Sequence, residues 1–195
     1  IKLNQMDFNF YQVNHFKDQY KFDHILDLDK NDFILFHCDE KWELENYSKL
    51  FSGAKKFTDI NIKINSLRDF LLNLSAKKTM KIVITTGYID TNIIFALKNI
   101  SKQIENTFYE VQKDIYLITN QNFNSISHLI SKCKLFISCH GAFTHIASSY
   151  NIKIIDVIEK DKKHHYFRIT SHMKNYISIY RSNFEELNKN IIVHS

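Results

Sequence analysis

Five short apolar runs constrain the fold of this chain most: Phe33-Ile34-Leu35-Phe36-His37-Cys38, Ile82-Val83-Ile84-Thr85, Ile115-Tyr116-Leu117-Ile118, Leu135-Phe136-Ile137-Ser138 and Ile154-Ile155-Asp156-Val157-Ile158. Runs this short, with no steady apolar/polar alternation, predict strands covered on both faces. Between them apolar residues recur at helical spacing, as Leu67, Phe70, Leu71 and Leu74, then Ile93, Ile94, Leu97 and Ile104. Ile126, Leu129 and Ile130 do the same behind a cap at Asn124 or Ser125. Phe143 to Ser149 and Asn183 to Asn190 read as further helices. Strand alternating with helix implies right-handed β-α-β crossovers, so the expected fold is α/β, a Rossmann-like parallel sheet with helices on both faces.

At 195 residues the chain has the length of one domain. We place it at 33–195, after a lead-in or interdomain connector over 1–32 in which Phe8, Phe10, Tyr11, Phe16, Tyr20 and Phe22 are interleaved with polar residues without sustained periodicity. The three glycines, Gly53, Gly87 and Gly141, stand too far apart for G-x-G-x-x-G or a Walker A loop. A net charge of +5 is spread along the chain, which does not favour nucleic-acid binding. Lys55-Lys56, Lys77-Lys78 and Lys160 to Lys163 are short basic clusters that could meet acidic lipid headgroups, but a solvated surface is the favoured explanation. Cys38, Cys133 and Cys139 lack C-x-x-C spacing, as expected in a reducing compartment. With no apolar stretch near the ~18 residues of a membrane span and no signal-peptide character at Ile1-Lys2-Leu3-Asn4, the expected location is the cytoplasm, with peripheral contact to the inner face of the membrane. A first residue that is Ile rather than Met predicts a fragment of a longer protein.

In parallel sheets ligands bind beyond the carboxyl ends of the strands. The residues there are His37-Cys38-Asp39-Glu40-Lys41-Trp42, Thr85-Thr86-Gly87-Tyr88, Thr119-Asn120 and Ser138-Cys139-His140-Gly141-Ala142-Phe143-Thr144-His145. In the last group a strand runs through small residues into a helix, whose unpaired first-turn N–H groups and partial positive charge receive phosphate without a Gly-rich loop. Gly141 and Ala142 admit the phosphate, Thr144 and His145 are further donors, and Lys41 can pair with a diphosphate as a point charge. The plainer alternative makes Gly141 a strand terminator and His145 a half-buried histidine.

Together the His37 to Trp42 loop, the Ile82 to Gly87 strand and turn, the Ser125 to Cys133 helix and Leu135 to Val157 resemble the C-terminal, donor-binding half of GT-B glycosyltransferases, the heptosyltransferase-like family nine above all. The resemblance covers roughly residues 33–158, and His145-Ile146-Ala147 is its most specific part. Two positions depart from the family pattern: its Asp falls on His140 and its Gly on Ala142, with Gly141 one residue early. The resemblance implies an inverting enzyme that passes a sugar from a nucleotide-diphosphate sugar to a bacterial surface glycan or lipid-linked acceptor, such as lipopolysaccharide. It further implies donor binding by Lys41, Thr86, Gly87, His140, Gly141, Ala142, Phe143, Thr144 and His145, no metal cofactor, and an N-terminal acceptor domain, carrying the usual base, that precedes this one. Within this chain His140 and His145 are the candidate catalytic groups.

Rival readings use the same strand ends. Cys38, Cys139, His37, His140 and His145 include N and S ligands suited to zinc, but neighbours on a strand point to opposite faces. Cys139 with His145 would make the chain a Cys-dependent hydrolase; a non-catalytic nucleotide- or glycan-binding domain would need only the fold. Asp27-Leu28-Asp29 has the spelling of a metal-binding Asp-x-Asp but reads as connector charge, and His164-His165 reads as surface loop, although Lys162, Lys163 and Arg168 beside it could flank a donor or an acidic acceptor.

Overall fold

A computed structural model describes residues 26–27, 32–42, 60–87 and 91–194, the side chains of 60–63 excepted. The expected lead-in therefore lies, apart from Leu26, Asp27 and Asp32, outside the described residues, as do Gly53, Lys55, Lys56 and Tyr88. In chain order the elements are β1 (Phe33–Cys38), a 3-10 turn (Glu40–Trp42), α1 (Ile60–Lys78), β2 (Lys81–Thr86), α2 (Asn92–Ile100), β3 (Lys102–Glu105), β4 (Phe108–Gln112) and β5 (Ile115–Ile118). They continue with α3 (Phe123–Lys132), β6 (Leu135–Cys139), α4 (Ala142–Ser149), β7 (Lys153–Ile158), a second 3-10 turn (Lys160–Lys162), α5 (Lys163–Thr170), β8 (Tyr176–Tyr180) and α6 (Phe184–His194).

The strands form one eight-stranded sheet in the order β3-β4-β5-β2-β1-β6-β7-β8. From β5 to β8 every pairing is parallel, while β3 and β4 form an antiparallel hairpin on the β5 edge. The chain is an α/β, Rossmann-like domain. Its parallel strands step outward from β1 in one direction through β2 and β5, then in the other through β6, β7 and β8. The order reverses between β1 and β6, and an open α/β sheet leaves its ligand crevice at such a point.

Strand periodicity sorts the core into two layers. Ile34, Phe36, Ile82, Ile84 and Ile137 pack against Leu67, Leu71 and Leu74 of α1, Ile94 and Leu97 of α2, and Leu187 and Ile191 of α6. Phe33, Leu35, Val83 and Phe136 face Ile126, Leu129 and Ile130 of α3 and Ala147 of α4. Leu26 is buried in this second layer, and the Lys81 ammonium donates to its carbonyl (2.7 Å), so one point of the lead-in is tied to the domain.

Four local expectations are corrected. Ile104 does not extend α2 but lies exposed on β3, because Ser101 ends the helix, its N–H donating to Lys98 O (3.2 Å) and its hydroxyl to Leu97 O (2.5 Å). The cap of α3 is Asn122, whose side chain accepts from Ser125 N (2.9 Å), rather than Asn124 or Ser125. His164 and His165 sit in α5 and not in a loop. The terminal helix runs on to His194.

Candidate functional site

The crevice between β1 and β6 is assembled from the two loops that leave those strands. After β1, Asp39 is buried and fixes the 3-10 turn: its Oδ1 accepts from Lys41 N (3.1 Å) and its Oδ2 from Lys41 Nζ (2.8 Å). Burial acts to lower the Lys41 pKa, but the hydrogen bond and charge of Asp39, with Glu40 behind, outweigh it and raise the value, so the ammonium stays charged. Trp42 is buried and its indole N–H donates to His37 O (2.9 Å), anchoring the turn to the strand.

From the β6 side, Gly141 caps α4 with extended backbone. Thr144 is fully buried; its N–H donates to Gly141 O (3.1 Å), and its hydroxyl accepts from Gly141 N (3.2 Å) while meeting Ser138 Oγ (3.3 Å). Thr144 thus holds the corner in shape and its hydroxyl is already committed inward. Ala142 and Phe143 occupy the first two helical positions, where helix geometry leaves N–H groups without an intrahelical acceptor. A Cβ on Gly141 would lie 3.0 Å from Lys41 Nζ. The structure therefore brings Lys41 and the start of α4 together, although a hundred residues separate them in sequence.

Gly87 follows β2, where a Cβ would meet Asp39 Cβ at 3.0 Å and Asp39 Cα at 3.3 Å. Its contribution is the close approach of backbone to the residue that holds Lys41. Thr86 is buried and paired in register with Cys38.

His140 leaves β6 with its Nδ1 donating to Asp156 Oδ2 (2.5 Å), which also accepts from the Tyr176 hydroxyl (2.7 Å). Asp156 is fully buried in the centre of β7, and its Oδ1 has no hydrogen-bond partner among the described residues. Both sequence-predicted histidines are near one another, with ring centroids of His140 and His145 5.4 Å apart and His172 6.3 Å beyond His145. Burial, followed by the charges of His140 and His172, lowers the His145 pKa. Asp156, Tyr176 and His172 were not singled out in the sequence: Asp156 hides inside an apolar run, and the other two lie in segments without strong periodicity.

The rival constellations separate. Cys38 and Cys139 point into the α1 and α6 layer, whereas His37 sits on the other face, its Nδ1 bonded to Thr85 Oγ1 (3.0 Å) and its ring edge-on to Phe143 at 4.9 Å. Among the described residues no cluster of three or more His, Cys, Asp or Glu side chains is placed to hold a metal ion. Cys139 is buried, and burial pushes its thiol well above the ordinary range, the opposite of what a nucleophilic thiolate needs. Among the described residues no helix is long and apolar enough to cross a membrane.

No protein-family model and no curated protein matches the chain. Among solved structures it is similar to E. coli heptosyltransferase WaaC with ADP-2-deoxy-2-fluoro heptose, at a TM-score of 0.50 and 9% identity, over 85% of this chain and 44% of that one. It is likewise similar to Methanocaldococcus jannaschii UDP-GlcNAc 2-epimerase in complex with UDP-GlcNAc and UDP, at a TM-score of 0.52 and 11% identity, over 90% of this chain and 42% of that one. The chain has the fold of one half of a GT-B protein. It spans less than half the length of either neighbour.

Proposed function

We propose that this domain binds a nucleotide-diphosphate sugar and is the donor-binding half of an inverting GT-B glycosyltransferase acting on a surface glycan or lipid-linked acceptor. One observation carries the reading: the Lys41 ammonium lies beside Gly141 at the point where β6 turns into α4, in the crevice where the strand order reverses. A fixed cation, first-turn amides and a residue with no side chain suit a diphosphate. Both similar structures are of proteins in complex with a nucleotide sugar, which supports the same ligand class.

Glycosyl transfer develops negative charge on the departing diphosphate as an oxocarbenium-like centre forms. Lys41, held by Asp39, and the α4 amides of Ala142 and Phe143 offer preoriented stabilisation of that charge without reorganisation at the moment of reaction. His140, fixed through Nδ1 by Asp156, has its other ring nitrogen directed away from that carboxylate. In this reading the acceptor and its base belong to a second domain outside this chain, and no metal is required.

Calorimetric titration with UDP, ADP, GDP and CDP tests the proposal. At least one should bind in the micromolar range, and Lys41→Ala should weaken it about tenfold or more while the fold is retained. Absence of binding by all four, or equal affinity in Lys41→Ala, overturns the reading.

A further inference from the structure

A second cleft shares no lining residue with the proposed diphosphate seat. It has a volume of about 510 Å3 and is formed between α5 and the edge strand β8, with Lys163, Tyr166, Phe167, Tyr176, Ser178 and Tyr180 in its wall. Strand periodicity creates one side: Tyr176, Ser178 and Tyr180 point to the α5 face, while Ile179 is buried in the opposite layer. The other side is the turn of α5 that carries Tyr166 and Phe167.

The polar ends of two tyrosines are turned away from this space. The Tyr176 hydroxyl donates to Asp156 (2.7 Å) and the Tyr166 hydroxyl to Glu159, so the rings are locked and their apolar faces are what the wall offers. Phe167 is 72% and Tyr180 43% exposed, so both rings are open to a ligand in the cleft. Between the rings stands the hydroxyl-bearing Ser178, and Lys160 lies over the Tyr180 ring at 5.9 Å. Glu159, bonded to Tyr166, is matched by Lys162 (3.5 Å) and Arg181 (3.7 Å), Asp156 is bonded to Tyr176 and His140, and Lys163 in the wall and Lys160 at the Tyr180 ring bring positive charge to the rim beside Asp161.

Aromatic faces alternating with hydroxyl and ammonium groups match the two characters of a pyranose, whose ring presents C–H groups on one face and hydroxyls at its edge. The volume suits one or two such rings. We propose that this cleft is a carbohydrate subsite that takes an acidic sugar, separated from the diphosphate seat by the Tyr166–His140 wall, whose rings are 4.8 Å apart. The assignment goes beyond the donor reading and stands without it.

A 1H–15N NMR titration decides the matter, with a hyaluronan tetrasaccharide as the acidic probe, chitotetraose as its uncharged counterpart and UMP as a nucleotide control. The expected result is saturable shifts in amides of 163–170 and 176–180 with the hyaluronan fragment, and weaker ones with chitotetraose. Tyr180→Ala and Phe167→Ala, both at exposed positions, should each weaken binding about fivefold, and Lys163→Ala should erase the preference for the acidic probe. No saturable shifts with either sugar, unchanged affinity in both aromatic variants, or UMP displacing the tetrasaccharide from these residues would overturn the proposal. UDP affinity unchanged in Tyr180→Ala would show that a failure here is not a failure of the diphosphate site.

Discussion

Lys41 Nζ lies 3.0 Å from the point that a side chain on Gly141 would occupy, and is held there by Asp39. The contact joins the two loops that flank the reversal of strand order, and it can be perturbed from either side.

Gly141→Ala introduces a methyl against the far end of a flexible side chain, in extended backbone that alanine adopts freely. Stability should therefore change by less than about 0.5 kcal/mol, whereas displacement of the ammonium should weaken nucleoside diphosphate binding several-fold. Urea unfolding and calorimetry on the same sample check both halves; a stable variant with unaltered affinity would separate Lys41 from the site.

Gly87→Ala is expected to behave differently. Its methyl would meet not only the movable Glu40 carboxylate but also Asp39 Cβ and the Asp39 backbone Cα, so a loss of about 1–3 kcal/mol is expected from urea unfolding, with weaker diphosphate binding because Asp39 positions Lys41.

Acid should destabilise the domain through His37. Burial, then the charge of Lys41, lowers its pKa from 6.5 to about 4 against a smaller opposing effect of Glu40. The folded state thus binds this proton less readily than the unfolded chain. The contribution is complete above pH 6.5 and is lost as pH falls toward about 4, with on the order of 2 kcal/mol gone by about pH 5. Unfolding free energies at about pH 7 and pH 5 should show this drop, and His37→Gln should show a shallower one.

Asp156→Ala should cost about 2–4 kcal/mol, because it strips the acceptor from both His140 and the Tyr176 hydroxyl inside the sheet. Tyr176→Phe removes one of the two bonds and should cost about 1 kcal/mol. Chemical denaturation of the pair distinguishes a shared acceptor from two independent contacts: equal losses would contradict it.

The parallel strands were legible because burial on both faces writes them as unbroken apolar runs, as in Phe33 to Cys38. The β3 segment Lys102–Glu105 is exposed throughout and β8 alternates Tyr and Ser with Ile, so neither writes such a run. Helix α5 was hidden for a related reason: Lys163, His164 and His165 open it, and only Thr170 is buried. The strand-to-helix corner at Gly141 could be read locally. Its junction with Lys41 follows from the adjacency of β1 and β6, a long-range pairing that no residue pattern states. The Asp156 contact with His140 depends on the same sheet order, one strand further out.

That order has a consequence for how the chain can change over evolutionary time. The next described helix after β1, α1, covers one face of the sheet, whereas α4, which follows β6, covers the other. The gap between them is a by-product of routing, not of missing packing, and its rim can exchange one reactive group for another while the scaffold beneath stays intact.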